Sequence, residues 1–336
     1  MRLLPIRQCR AGDVVADTIR QSDGRVVLRA GTVLTESMLQ QLERWHLTVV
    51  PVEWPGFEAI DPEPWLPEAL WPALQRWFDQ EVSRLTVRES TAARELVTEL
   101  MDTVPASRRR AFEFISLHQG GSAALTAWLN LVGLAIHLTQ RAFPGRVEEV
   151  ALAALWLGLS NPERRSGQVQ ETAAAHVVEL VQKLREFPTV SSTTIASLAQ
   201  HHARWDGSGQ PPISGEKIYP GALILGMAET LTYLMFRTDG EPVPAHEALE
   251  WVMGGADIEF PLSLVQQLQH TVAPYPVGAV IRLNGEVAVV VQNSVDWPAR
   301  PRVRLLTGSE AGKEVNLAHP QEKSRVILGL YHERDY

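Results

Sequence analysis

Over residues 73–272 apolar side chains recur every three to four positions, and on either side of that stretch the period drops to two. A period of 3.6 lays an apolar stripe along a helix, and a period of two lays an apolar face on a strand. The change of period predicts a mainly α protein. A helical bundle fills 73–272, a small α+β unit precedes it and a β-rich tail comes after it. Helices are expected over Leu74–Leu85, Arg94–Met101, Ala123–Gln140, Glu148–Leu159, Ala173–Leu184, Thr193–His202, Gly221–Phe236, Ala245–Met253 and Leu262–His270. Val177, Val178, Leu180, Val181 and Leu184 form one apolar stripe.

On the N-terminal side, residues 1–53 form the α+β domain. Val14–Ile19 and Arg25–Leu28 are strands joined by a turn at Asp23-Gly24, Thr35 caps a helix through Met38, Leu39 and Leu42, and Leu47–Val52 is a third strand. Residues 54–72 are rich in proline (Pro55, Pro62, Pro64, Pro67, Pro72), which removes backbone donors and predicts an extended linker. Trp54, Trp65 and Trp71 would lay that linker on a neighbouring surface. In the tail, 273–336, Val280–Leu283 and Val287–Val291 flank the hairpin dipeptide Asn284-Gly285, and Val303–Leu306 and Val326–Leu330 are further strands.

Composition narrows the function. The 336 residues carry a formal net charge of −8, and Arg108-Arg109-Arg110 is the basic cluster of note, so a broad nucleic-acid face is not expected. Cys9 is the only cysteine, so no intrachain disulfide forms, which fits a reducing compartment. The apolar stretch Ala123–Leu138 is interrupted by Thr126, Asn130 and His137 and falls short of the ~20 residues that span a bilayer. It reads as a buried core helix. A soluble, cytoplasmic protein with no nucleic-acid or membrane partner is the expectation.

The chemistry-bearing segment is His201-His202-Ala203-Arg204-Trp205-Asp206-Gly207-Ser208-Gly209-Gln210-Pro211. Two histidines end a helical pattern and run into a glycine-rich turn, and neutral imidazole is a common metal ligand. Adjacent helical residues point about 100° apart, so the pair is not expected to bind one ion in the same way. The segment resembles the His-His-Glu-Arg-Trp-Asp-Gly-Ser-Gly-Tyr-Pro signature of HD-GYP proteins. The run Ile218–Leu234 is similar to the helix after the signature in that family, the tail from Tyr275 is similar to the family's β-rich tail, and Gly12–Val52 is similar to a small domain that precedes the signature in some members. The resemblance implies an HD-domain-like helical bundle, metal-dependent cleavage of the second messenger cyclic di-GMP in active members, and partners among signalling proteins such as diguanylate cyclases.

Carried over residue by residue, that resemblance implies a depleted metal site. The His-Asp pair that names the family falls on Leu157 and Gly158, which have no donor atom, and an earlier histidine falls on Ala127. Asn161–Glu171 is shorter than the family's corresponding loop. His176, His201 and His202 match family histidines. Glu229 stands for an aspartate, Ala203 for the signature glutamate and Gln210 for the tyrosine. Two bridged ions need a shared carboxylate, and the one the resemblance would place at Gly158 is missing. The expected protein is therefore a catalytically degenerate signalling or interaction module, with no cofactor, that binds a partner or binds cyclic di-GMP without cleaving it. The alternative is a phosphodiesterase with a reduced, mononuclear site, one Fe, Mn or Zn ion on His176, His201, His202 and Glu229. A third reading is a scaffold of the HDOD type. The turn through Arg204, Trp205, Asp206, Gly207, Gly209 and Pro211 has a structural reading too, with Asp206 capping, glycines at positive φ and Trp205 in the core.

Overall fold

The computed structural model describes residues 2–20, 25–44, 49–57, 60, 65–107, 111–115, 123–160, 175–236 and 243–331. The turn expected at Asp23-Gly24, the Arg108-Arg109-Arg110 cluster and the Asn161–Glu171 loop lie outside these residues. Contacts divide the chain into two units: Met1–Pro64, Arg109–Ser122 and Val272–Tyr336 form one, and Trp65–Arg108 with Ala123–Thr271 form the other. As the change of period predicts, the molecule is mainly α-helical with small antiparallel sheets.

The first unit begins with β1 (Arg2–Pro5), β2 (Ile19–Arg20), β3 (Val26–Leu28), α1 (Glu36–Arg44) and β4 (Val49–Val52). β1 pairs antiparallel with β4, and β2 with β3. Val14 and Val15 contribute only isolated bridges, so the strand expected over Val14–Ile19 shrinks to its last residue. α1 starts where Thr35 Oγ1 accepts the Met38 N–H at 3.3 Å, and it buries Leu39 and Leu42.

The second unit holds nine helices among the described residues. They are α2 (Trp71–Phe78), α3 (Val87–Ser107), α4 (Ala123–Ala142), α5 (Val147–Leu157), α6 (Val178–Leu184), α7 (Ser192–Gln200), α8 (Pro220–Phe236), α9 (Ala245–Gly254) and α10 (Leu262–Gln269). α5 is apolar on every side because every face is covered: its residues Val150–Leu157 are all buried. α4 packs along α8 and α5, and α8 packs on α7. Trp77 of α2 donates its indole N–H to Leu155 O at 3.0 Å and meets Trp156 edge-on at 4.8 Å, which ties α2 to α5. Within the helical stretch, the expected helix Leu74–Leu85 ends at Phe78 and resumes only as a 3₁₀ turn at Val82–Arg84.

The tail completes the first unit with β5 (Val280–Leu283), β6 (Val287–Gln292), β7 (Arg302–Leu305), β8 (Glu314–Asn316) and β9 (Ile327–Leu330), in the order β8-β7-β6-β5-β9. β5 and β6 form the hairpin expected at Asn284-Gly285, with Gly285 at φ 100°. The residues read as a linker do not behave as one extended piece. Phe57 and Ile60 are buried against Val280 and Val289, whereas Trp65 belongs to the helical unit and Trp71 begins α2. Their apolar side chains, not the prolines, decide the path. Among the described residues no helix is long and apolar enough to cross a membrane.

Candidate metal centre

Four side chains from three places in the helical unit converge. His176 sits in a 3₁₀ turn, Ala175–Val177, that leads into α6. His201 and His202 come directly after the end of α7, and Glu229 lies in the middle of α8. α7 is anchored by Ser191, whose Oγ accepts the Thr194 N–H at 3.1 Å, and it stops at Gln200.

The ending of α7 corrects the expectation that the two adjacent histidines diverge. His201 still has helical dihedrals, φ −65° and ψ −18°, and the chain tightens into a turn in which Ala203 N–H donates to Gln200 O at 2.8 Å. The two rings lie 4.0 Å apart, tilted by 44°. Both Nε2 atoms face the same oxygen of Glu229, at 3.3 Å from His201 and 3.6 Å from His202. His176 Nε2 faces the other carboxylate oxygen at 3.5 Å. One ligand atom from each of the four residues fits within a span of 4.8 Å, and among the described residues this is the one such group of metal-ligating side chains.

Close packing sets this geometry. A Cβ at Gly226 would lie 2.2 Å from His201 O, so α8 approaches the end of α7 only because residue 226 has no side chain. Three residues further along α8, nearly one turn, comes Glu229. At Gly209 a Cβ would lie 2.2 Å from His202 O, where the chain folds back and Gln210 N–H donates to that carbonyl at 2.9 Å.

The electrostatics point to a cation. His201 Nδ1 lies 2.6 Å from Leu198 O, and a carbonyl can only accept, so Nδ1 carries a hydrogen. In the neutral ring the Nε2 lone pair then faces the Glu229 carboxylate. Neither His201 Nε2 nor His202 Nε2 has a hydrogen-bond partner, although both are buried. Burial first, and then the neighbouring His201, push the His202 imidazole down to about 3, so it is neutral near pH 7. For Glu229 burial is the largest single influence and favours the neutral acid. The attraction of His201, with His176 and His202, outweighs it and holds the carboxyl well below the ordinary range. A half-buried carboxylate that faces three imidazole nitrogens is held there by positive charge, a proton on a ring or a cation among the four groups. Three imidazole nitrogens and one carboxylate oxygen suit Zn, Fe or Mn. The residues present fit one such ion.

The turn after the histidines is built into the scaffold. Trp205 N–H donates to Glu259 O at 3.0 Å and Asp206 N–H to Ile258 O at 2.9 Å. Asp206 Oδ1 accepts the Ser208 N–H at 2.8 Å, and Gly207 has φ 90°. The Arg204 guanidinium pairs with Glu259 at 3.3 Å, lies 5.4 Å from the centre of the Phe260 ring, and donates to the His201 and Ala203 carbonyls. Pro211 comes after a cis peptide bond. These contacts bear on the structural reading of the turn: it fastens the 255–260 segment beside the cluster.

Leu157 and Gly158 end α5, both buried. His137 lies on α4 with Nδ1 2.7 Å from Gly133 O and its ring edge-on to Trp65, and it does not join the cluster. Sequence reasoning missed Gly226, whose signal is a lone glycine inside the apolar run Ile224-Leu225-Gly226-Met227.

Comparison with known proteins gives little to set beside this geometry. No family model matches the chain, and no curated protein matches its sequence. Among solved structures, Bd1817, an HDG"Y"P protein from Bdellovibrio bacteriovorus, aligns over 79% of this chain and 97% of its own, with a TM-score of 0.45 and 14% identity.

Proposed function

We propose that this chain is a non-hydrolysing HD-GYP-like signalling module that holds a single divalent cation on His176, His201, His202 and Glu229 and acts by binding. One observation carries the reading: three imidazoles and one carboxylate bring their ligand atoms within 4.8 Å of one another. Four donors provide for one ion. A bridged pair of ions, which clamps both the attacking and the leaving oxygen of a phosphodiester, needs more.

When bound, the cation supplies Lewis acidity toward an anionic oxygen. The chain's own residues hold and orient it. His201 is fixed by Leu198 O with its Nε2 lone pair inward, Glu229 offers the one negative charge, and Gly226 sets the distance between them. His202 and Glu229 are the half-buried members and His176 and His201 the buried ones, so access is from the His202–Glu229 side.

The module's partners, by the resemblance of the 201–211 segment, are second-messenger signalling proteins such as diguanylate cyclases, with cyclic di-GMP as the small ligand. Arg204 is committed to Glu259 and Phe260, and Gln210 replaces the tyrosine ring, so a protein partner is favoured over the nucleotide. The test is incubation of the purified chain with cyclic di-GMP and added Mn or Fe, with products separated by chromatography and metal content measured in parallel. The expected result is no linear dinucleotide and bound metal that disappears in His201→Ala and His202→Ala. Cleavage that rises with added metal would overturn the reading, as would equal metal content in the variants.

A further inference from the structure

His201 is gripped from three directions. Its ring is fixed by Leu198 O, 2.6 Å from Nδ1. Its carbonyl oxygen meets α8 at Gly226, where a Cβ would lie 2.2 Å away. The third contact comes from Arg204, whose Nη1 donates to the same carbonyl at 3.4 Å and to Ala203 O at 3.3 Å. These are long, shared bonds, and the surroundings of the guanidinium keep it at them. Its Nε pairs with Glu259 Oε2 at 3.3 Å, its face lies 5.4 Å from the centre of the Phe260 ring, and a Cβ on Gly226 would lie 3.6 Å from Nη1. Glu259 is set in place by its own backbone, which accepts the Trp205 N–H at 3.0 Å and donates to Gly255 O at 2.8 Å. The two side chains are only 21% and 23% exposed, so water screens their charges poorly. An arginine is nevertheless an odd neighbour for a cation. Burial first, and then His201, lower the His202 imidazole, and the Arg204 charge adds to them, so that charge is felt inside the cluster. Unpaired, it would repel a divalent ion.

We propose that Arg204 is a positioning residue for the cation site: it holds the His201 carbonyl at the end of α7, while Glu259 offsets the charge that would otherwise act against the bound ion. This rests on reading His176, His201, His202 and Glu229 as that site. Arginine suits the task because its planar fork reaches two carbonyls and a carboxylate at once, and the last carbonyls of a helix favour a cation. Grip and charge act on affinity in opposite directions. A lost grip weakens metal binding, whereas a lost positive charge strengthens it.

The test measures Zn affinity of the full chain, first freed of metal, by competition with a chromophoric chelator. Arg204→Met keeps the length of the side chain and its contact with Phe260 but loses the donors and the charge. It is expected to weaken Zn binding roughly tenfold or more. Binding as tight as that of the unchanged chain, or tighter, would overturn the proposal, since a charge acting alone predicts the tighter result. Glu259→Gln leaves Arg204 charged and uncompensated, and it is expected to weaken binding more at low than at high salt. In the Arg204→Met background the same change is expected to do nothing, and an equal loss in both backgrounds would overturn the coupling of the two side chains. Should Arg204→Met fail to fold, Glu259→Gln decides by itself, and an affinity unchanged at low salt would overturn the proposal. No Zn bound by the unchanged chain would overturn the cation-site reading along with this one, so the two failures are distinguishable.

Discussion

Replacing His137 should remove a measurable part of the molecule's sensitivity to acid. The ring is buried on α4, its Nδ1 is 2.7 Å from Gly133 O and its edge meets Trp65. Burial is the dominant influence, and it pushes the imidazole from its ordinary 6.5 down to about 4. Between those two values the unfolded chain takes up a proton that the folded chain refuses, so stability rises with pH across the window from about 4 to 6.5. Above it the histidine contributes no penalty, and below it the penalty is complete. Each pKa unit corresponds to about 1.4 kcal/mol, and the two-state expression gives a loss of about 2 kcal/mol on going from pH 7.5 to pH 5. Urea unfolding of the full chain, monitored by tryptophan fluorescence at several pH values, would be compared with that of His137→Leu. Groups that titrate in both proteins cancel in the difference. The variant's stability should fall less steeply toward pH 5, by about 2 kcal/mol, whatever constant offset its packing adds. Parallel curves for the two proteins would refute the assignment of a buried, neutral His137.

The geometry predicts two further outcomes. Gly226→Ala places a methyl group 2.2 Å from His201 O, so it should cost about 1–3 kcal/mol in urea unfolding and, by pushing Glu229 away from the histidines, weaken metal binding at least tenfold in a competition with a chromophoric chelator. In the β-rich part of the first unit, Arg325 pairs with Glu286, Glu310 and Glu322, which hold its guanidinium charged far above ordinary conditions, Glu286 most strongly. Arg325→Ala leaves three carboxylates facing one another and should lower stability, more at low than at high salt, with Arg325→Lys recovering only part; equal losses at both salt levels would count against the ion cluster.

Much of this architecture can be read from period and punctuation. The helical period over 73–272 and the alternation after Tyr275 report which faces are buried, and burial is what sorts these elements. Asn284-Gly285 marks its hairpin because Gly285 must take φ 100°. What the sequence hides is anything set by partners distant in the chain. β1 and β8 are short and are stabilised by β4 and β7, so their own residues carry little signal. Phe57 and Ile60 look like linker residues until β5 and β6 are in place to cover them.

The candidate site divides along the same line. The four residues that gather there were named in advance through the resemblance of the 201–211 segment, since a lone histidine beside an apolar stripe, as at His176, reads by itself as a packed core residue. Their mutual geometry was not, and the reason is local. The prediction that His201 and His202 diverge assumed a regular α-helix through both, but the chain tightens after Gln200 into a turn closed by Ala203 N–H on Gln200 O, and the two rings meet at one carboxylate oxygen. A spacing argument holds only while the element it assumes persists. The substitutions at Leu157 and Gly158 illustrate the complementary limit. Read as lost ligands, they say only that electron donors are missing. Trp128 adds what the letters alone do not contain: the space at 158 is filled by an indole locked to Ala154 and Phe78. Gly158→Asp without a smaller residue at 128 would therefore unsettle the fold.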